Sequence, residues 1–207
     1  MSSKKALAKS WSFYFLSKKQ GINSAEQYGE NIHFLGQFDT IEGFWSIYSH
    51  MQRPNNFDNS IDYHLFREKM RAVWEDPENR EGGKWVIRLQ KGLASYYWEK
   101  LIIGLIGEQF PIDVLGAVVS VRATEDLISV WNKTATDEKI RHKICCCLCL
   151  VLNLPPDTKL EYKKHNDAVK DGTSFKNSVI IYQAGKEEPF EISPKRSTGP
   201  MRRNEKH

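Results

Sequence analysis

Nothing in this 207-residue sequence approaches the roughly 20 consecutive apolar residues that span a bilayer. Met1 to Ser10 carries lysines but lacks the apolar centre of a secretory signal. A soluble intracellular protein with no membrane partner is therefore expected, in the cytoplasm and with the nucleus as a further compartment. Cysteine is absent outside one short stretch, Cys145-Cys146-Cys147-Leu148-Cys149. That excludes a dispersed disulfide framework, and no second pair stands at zinc-finger spacing to complete four ligands around Cys145 and Cys149. Reduced thiols packed as small hydrophobes are the simpler expectation. There is no glycine-rich phosphate loop and no nucleophile turn, and His33, His50, His64, His142 and His165 occur singly. No catalytic base can be assembled from these, so neither an enzyme nor a cofactor is expected.

What is present suits one well-buried domain. The net charge of +4 permits an anionic partner without demanding one, because Lys195, Arg196, Arg202 and Arg203 near the C-terminus contribute to it. Alternation of apolar and polar residues predicts strands over Trp11 to Leu16, Ile32 to Phe38, Trp85 to Leu89, Val118 to Arg122 and Leu127 to Trp131. With a side-chain period of two, Trp85, Ile87 and Leu89 share one face while Lys84, Val86 and Arg88 share the other. Helical spacing appears in Ile41, Phe44, Trp45 and Tyr48, in the run from Tyr97 to Ile106, and in Ile144, Leu148, Val151 and Leu152. Asp39 or Thr40 could cap the first helix and Thr136 or Asp137 the third, which Pro155-Pro156 stops. Strands with helices interspersed, but no regular βαβ rhythm, indicate an α+β domain with an antiparallel sheet. Residues 1–9 are expected as a flexible start, 10–182 as the domain and 183–207 as a disordered polar tail.

Two aromatics stand outside any periodic apolar run: Tyr28, and Trp74 within Val73-Trp74-Glu75-Asp76-Pro77. A large ring beside a carboxylate is what a site needs if it must stack a flat base and read its edge. Further along come Gly82-Gly83-Lys84-Trp85, Gly116-Ala117-Val118-Val119-Ser120-Val121-Arg122 and Val130-Trp131-Asn132-Lys133-Thr134. In this order and at these separations the segments resemble the eukaryotic mRNA cap-binding initiation factors of the 4E type, from Trp11 to about Ile181. Tyr48-Ser49-His50-Met51, Lys91-Gly92-Leu93-Ala94-Ser95, Gly107-Glu108-Gln109-Phe110 and Leu152-Asn153-Leu154-Pro155-Pro156 resemble most the divergent branch called 4E-homologous proteins.

The resemblance implies a single strongly curved antiparallel sheet, about three helices on its convex back and a ligand slot on its concave side. It also implies a ligand, the 7-methylguanosine triphosphate cap of mRNA. Trp74 and Tyr28 would be the walls of the slot, with tyrosine standing where the prototype factors have a second tryptophan. Glu75 would accept from the guanine N–H edge, and Trp131 would lie against the 7-methyl group. Arg122, Lys84 and Lys170 would meet the phosphates. Leu127 departs from the pattern, because the prototype has a phosphate-binding lysine there and leucine cannot donate. A weaker grip on the cap than the prototype's is therefore expected.

Ile41, Phe44, Trp45 and Tyr48 span more of a helix circumference than one core stripe requires. By resemblance Ile41, Trp45 and Ile103 belong to a dorsal patch that receives partner helices carrying a Tyr-x-x-x-x-Leu-apolar motif. Trp98 is expected to pack inside. Of the His-Pro-Leu stretch with which the prototype helps to grip its partner, the aligned Lys5-Ala6-Leu7 keeps only the leucine. The branch implies a monomer that represses selected messages through recruited partners. A general initiation factor, and a scaffold domain that no longer binds caps, are the alternatives.

Overall fold

The computed structural model describes residues 4–17, 29, 31–68, 70–73, 77–167, 180–185 and 190–191. Along the chain lie β1 (Ala6–Ser17), β2 (His33–Thr40), α1 (Ile41–Tyr48), β3 (Ile61–Arg67), α2 (Pro77–Arg80), β4 (Gly83–Leu89), α3 (Ala94–Ile106), β5 (Val114–Val121) and β6 (Asp126–Asn132). They are followed by α4 (Glu138–Leu152), β7 (Lys159–Lys164), β8 (Ile180–Gln183) and β9 (Phe190–Glu191). The nine strands form one sheet in the order β2-β1-β3-β5-β6-β4-β7-β8-β9, with every neighbouring pair antiparallel. The α+β expectation is met.

The period of two sorts the strand residues into two faces. One face carries Trp11, Phe13, Tyr63, Leu65, Trp85, Ile87, Val119, Ile128, Val130, Leu160 and Tyr162, which join the helices in the main core. α3 inserts Tyr97, Trp98, Leu101, Ile102 and Leu105, and α4 inserts Ile144, Cys145, Leu148 and Leu152. Trp98 is fully buried, as expected. The opposite, concave face carries a much smaller apolar cluster of Phe66, Ala72, Leu115, Val118 and Trp131. A sheet that spends one face on its core leaves the other for a site.

The helix ends follow the chemistry of their sequence. Thr40 caps α1, its Oγ1 accepting from the Gly43 N–H at 3.1 Å, and Asp137 caps α4, accepting from the Ile140 N–H at 3.1 Å. Asn153 ends α4 in the left-handed region at φ 50°, just before the prolines.

The last helix keeps less of a solvent face than ordinary spacing would give. Cys145 is buried in the core, Cys146, Cys147 and Cys149 are half-buried, and Leu150 points outward, 80 % exposed. The C-terminal boundary read at residue 182 falls inside the sheet, because β8 runs to Gln183 and β9 pairs back onto it, Ile180 against Glu191. Gly185, at φ 86°, lies on the way between the two strands. No helix among the described residues is long and apolar enough to cross a membrane.

Candidate functional site: the concave face

Strand register assembles the site. Phe66 pairs with Gly116, Gly116 with Trp131, Trp131 with Lys84 and Lys84 with Lys163, a line across β3, β5, β6, β4 and β7. Gly116 is required in that line. A Cβ there would stand 2.5 Å from the Leu65 carbonyl oxygen and 2.5 Å from the Phe66 ring. Its absence lets Phe66 meet Trp131 edge-on, with ring centroids 5.6 Å apart. The Lys84 ammonium lies 5.3 Å from the Trp131 ring centroid, a cation over an aromatic face. Both side chains are buried, Trp131 at 3 % exposure and Lys84 at 5 %.

His165 closes this cluster from the end of β7. Its ring lies 4.2 Å from that of Trp131 and is inclined to it by 37°. Among the described residues neither imidazole nitrogen completes a well-formed hydrogen bond, and the Trp131 Nε1 is likewise buried without a partner there. Burial, and secondarily the charge of Lys84, push the His165 pKa well below its ordinary 6.5, with the Gly83 carbonyl pulling the other way. His165 is therefore neutral at pH 7. Lys163, fully buried beside Lys84, adds a second cation under the same end of the sheet.

Tyr28, Trp74, Glu75 and Lys170 lie outside the described residues. Their described neighbours converge. A Cβ on Gly29 would come within 3.9 Å of Val73 Cγ2, so the chain just after Tyr28 runs beside the chain just before Trp74. Buried Asn79, on α2, donates through Nδ2 to the carbonyls of Arg71 at 2.9 Å and Val73 at 2.7 Å. One amide on α2 thus holds the carbonyls of two residues that precede Trp74 in the sequence.

Arg122 follows β5 directly. Its Nη2 is 2.9 Å from Asp62 Oδ1, and its Nη1 donates to the carbonyls of Val121 at 2.8 Å and Ile61 at 3.3 Å. On the neighbouring strand Leu127 is buried on the same concave face, so the line Asp62, Ser120, Leu127, Arg88 contains no cation at its third position. Arg88 is taken up by Glu125 and Glu161.

Residues 6–180 match the family model described as eukaryotic initiation factor 4E. The chain belongs to that family. It is 40 % identical over 172 residues to eukaryotic translation initiation factor 4E-4 of Caenorhabditis elegans, covering 82 % of this chain and 81 % of the relative. To eukaryotic translation initiation factor NCBP of Oryza sativa subsp. japonica it is 38 % identical over 169 residues, covering 81 % and 74 %. Among solved structures it is similar to C. elegans eIF4E-3 in complex with the 4E-binding protein Mextli and cap analog, with a TM-score of 0.78 and 29 % identity. That match covers 87 % of this chain and all of the other. The family supplies the frame for the concave cluster, and the same frame applies to the helical side.

On that side Phe44 and Tyr48 turn inward to stack at 5.2 Å, while Ile41, at 40 %, and Trp45, at 44 %, stay exposed. Ile103 on α3 is 42 % exposed. Large apolar side chains left half in water at i,i+4 on a helix form a stripe that a partner can cover. The Lys5-Ala6-Leu7 segment is fixed to the start of this helix. The Lys5 carbonyl accepts from the Ile41 N–H at 2.9 Å, and the Lys5 N–H donates to Glu42 Oε2 at 3.0 Å.

The sequence reading brought Lys84, Trp131 and Arg122 to the concave face and missed Asp62, Phe66, Asn79, Lys163 and His165. Asn79 carried a usable signal, an amide three residues beyond the Trp74-Glu75-Asp76 sequence. The others became visible only through strand register.

Proposed function

We propose that this chain is a non-catalytic binder of the 7-methylguanosine mRNA cap that regulates translation in the cytoplasm by recruiting repressor partners to selected messages. The observation that carries the reading is the packed line Phe66, Trp131 and Lys84 on the concave face of a 4E-family sheet, beside converging segments that bear Tyr28 and Trp74. In this reading Tyr28 and Trp74 sandwich the cationic methylated base, which gains most from electron-rich ring faces in a partly desolvated slot. Glu75 accepts from guanine N1–H and N2–H, a two-donor pattern that adenine does not present. Trp131, packed against Phe66 and His165, offers a fixed wall to the methyl group. Lys84, Arg122 and Lys170 face the phosphates, with Leu127 contributing no charge.

Partners carrying a Tyr-x-x-x-x-Leu-apolar helix dock on the exposed stripe of Ile41 and Trp45 with Ile103. Support comes from the C. elegans neighbour, solved with both a cap analog and a 4E-binding protein. Weak cap affinity is compatible with selective action, since a partner that holds the same message raises the effective concentration of cap.

The test is retention on immobilised 7-methyl-GTP, with elution by free cap analogue and not by GTP. Addition of a peptide bearing the helix motif should then give a ternary complex that Trp45→Ala abolishes. Failure to be retained would leave only the scaffold reading. Tight, competitive binding of the initiation scaffold's peptide would favour a general initiation factor over a repressor.

A further inference from the structure

We infer that α4 carries a peroxide-sensitive thiol pair, in which Cys149 is oxidised first and Cys145, one turn before it, closes a reversible disulfide onto it. The pair lies on the convex back of the sheet and is independent of the cap slot. Cys145 and Cys149 stand four residues apart on one face of the helix, and their thiols share a hydrogen bond. They differ in access, because Cys145 is fully buried and Cys149 only half-buried. The hydrogen bond that Cys149 receives from Cys145 lowers its pKa from the ordinary thiol value, with its own backbone helping and burial opposing. The same bond and burial raise Cys145, and burial raises Cys146 and Cys147. Cys149 is thus the cysteine that combines access to solvent with thiolate character, and the thiolate is the nucleophile. Its buried partner is not sealed. A cavity of about 50 Å³ between α4, β4 and β8 has Cys145 in its wall with Trp85, Arg141, His142 and Tyr182, and it has room for a few water-sized molecules.

The chemistry closes with a hydroperoxide as oxidant. The Cys149 thiolate attacks one peroxide oxygen, the O–O bond breaks, and the departing oxygen takes up a proton, leaving a sulfenic acid on Cys149. The Cys145 sulfur then displaces that hydroxyl, which leaves as water with the Cys145 proton. Two thiols lose two electrons and the peroxide gains them.

An ideal helix puts α-carbons at i,i+4 about 6 Å apart, within the disulfide range, but the β-carbons, at about 5–6 Å, must close to about 4 Å. The last turn of α4 has to give. That turn is fastened at Cys149, whose carbonyl accepts from the Leu154 N–H at 3.1 Å and from the Asn153 N–H. Oxidation therefore loosens the helix end, and a disulfide closed against that strain is readily reduced.

The test treats the full chain with hydrogen peroxide and counts free thiols. The count should fall from four to two without dimer formation, and dithiothreitol should restore it. All four cysteines lie between Lys143 and Lys159, so alkylating the remaining thiols and fragmenting that one tryptic peptide should find Cys146 and Cys147 alkylated and Cys145 joined to Cys149. In Cys145→Ala, dimedone should trap a sulfenic acid on Cys149. Cys149→Ser should slow oxidation by about tenfold or more, while Cys146→Ser and Cys147→Ser react as the wild type does. The amides of Asn153 and Leu154 should exchange hydrogen faster in the oxidised wild type. First oxidation at Cys146 or Cys147, a Cys146–Cys149 or intermolecular crosslink, or wild-type oxidation rates in Cys149→Ser would overturn the assignment. The mapping on wild-type protein stands even if a cysteine variant fails to fold. Unchanged amide exchange in the oxidised form would overturn the link to the helix end.

Discussion

Replacing His165 by phenylalanine should stabilise the protein at neutral pH and flatten its response to acid. The ring is almost completely buried, sits 4.2 Å from Trp131 and, among the described residues, has only the weak pull of the Gly83 backbone on its nitrogens, with no well-formed hydrogen bond. A buried unmet polar group costs about 1–3 kcal/mol, so an apolar ring of similar size removes that cost and keeps the aromatic contact. Attraction between the imidazole and the Gly83 carbonyl is lost in exchange. The net expectation is a gain of about 1 kcal/mol at pH 7.5.

The acid response has a definite sign. The folded pKa lies well below the 6.5 of the unfolded chain, so the unfolded state binds more protons than the native state as the pH drops through that value. The contribution of neutral His165 is therefore complete above pH 6.5 and is lost below it, toward the folded pKa, at up to about 1.4 kcal/mol per pH unit. Urea unfolding of both proteins from pH 8 to pH 5 gives the difference directly, with other titrating groups cancelling. A parallel pH dependence in the two proteins, or a clear loss of stability in His165→Phe at pH 7.5, would show that the imidazole is not the buried, neutral and poorly hydrogen-bonded group described.

Three further outcomes follow from the packing. Gly116→Ala should cost roughly 1–3 kcal/mol of stability, because its Cβ would meet the Leu65 carbonyl and the Phe66 ring at 2.5 Å; denaturant melts measure the loss, and the intrinsic fluorescence of Trp131 should shift as Phe66 moves. Asn132→Ala should cost about 3–5 kcal/mol, since fully buried Asn132 donates to Asp113 and to the Thr134 carbonyl and accepts from Tyr162 Oη, all of which would lose a partner; a fall in the urea midpoint of under 1 kcal/mol equivalent would contradict that network. Trp45→Ala should cost only about 1 kcal/mol, the edge contact with Phe44 at 4.9 Å being the principal loss, while abolishing binding of a helix-motif peptide measured by calorimetry.

Much of this architecture could be read from residue order, and the failures have physical causes. Several strands of the core announced themselves by period two, and of the two cap candidates at each helix the structure uses Thr40 and Asp137, whose side chains reach the helix amide. β3 escaped notice because Asp62 and His64, which look like surface residues, are buried on the concave face. β7 escaped because Lys159, Glu161, Lys163 and Lys164 mask the two apolar residues, Leu160 and Tyr162, that anchor it. The expectation that Lys84 meets a phosphate rests on family order alone. Its burial over the Trp131 ring, and the second lysine beside it, depend on which strands are neighbours, and no local pattern encodes that. The pairing of Arg122 with Asp62 is of the same kind, a contact between residues 60 positions apart made by the β3–β5 ladder. Tyr28, Trp74, Glu75 and Lys170 rest on the sequence and the family.

The most direct measurement is a fluorescence titration of the wild type, Trp74→Ala and Glu75→Ala with 7-methyl-GTP and GTP, each variant checked for an unchanged melting transition. A cap-binding slot requires tryptophan quenching by 7-methyl-GTP at concentrations where GTP has no effect, with the preference lost in both variants. Equal or absent quenching by the two ligands in a folded wild type would contradict cap recognition and leave the Ile41, Trp45 and Ile103 surface as the functional part of the molecule.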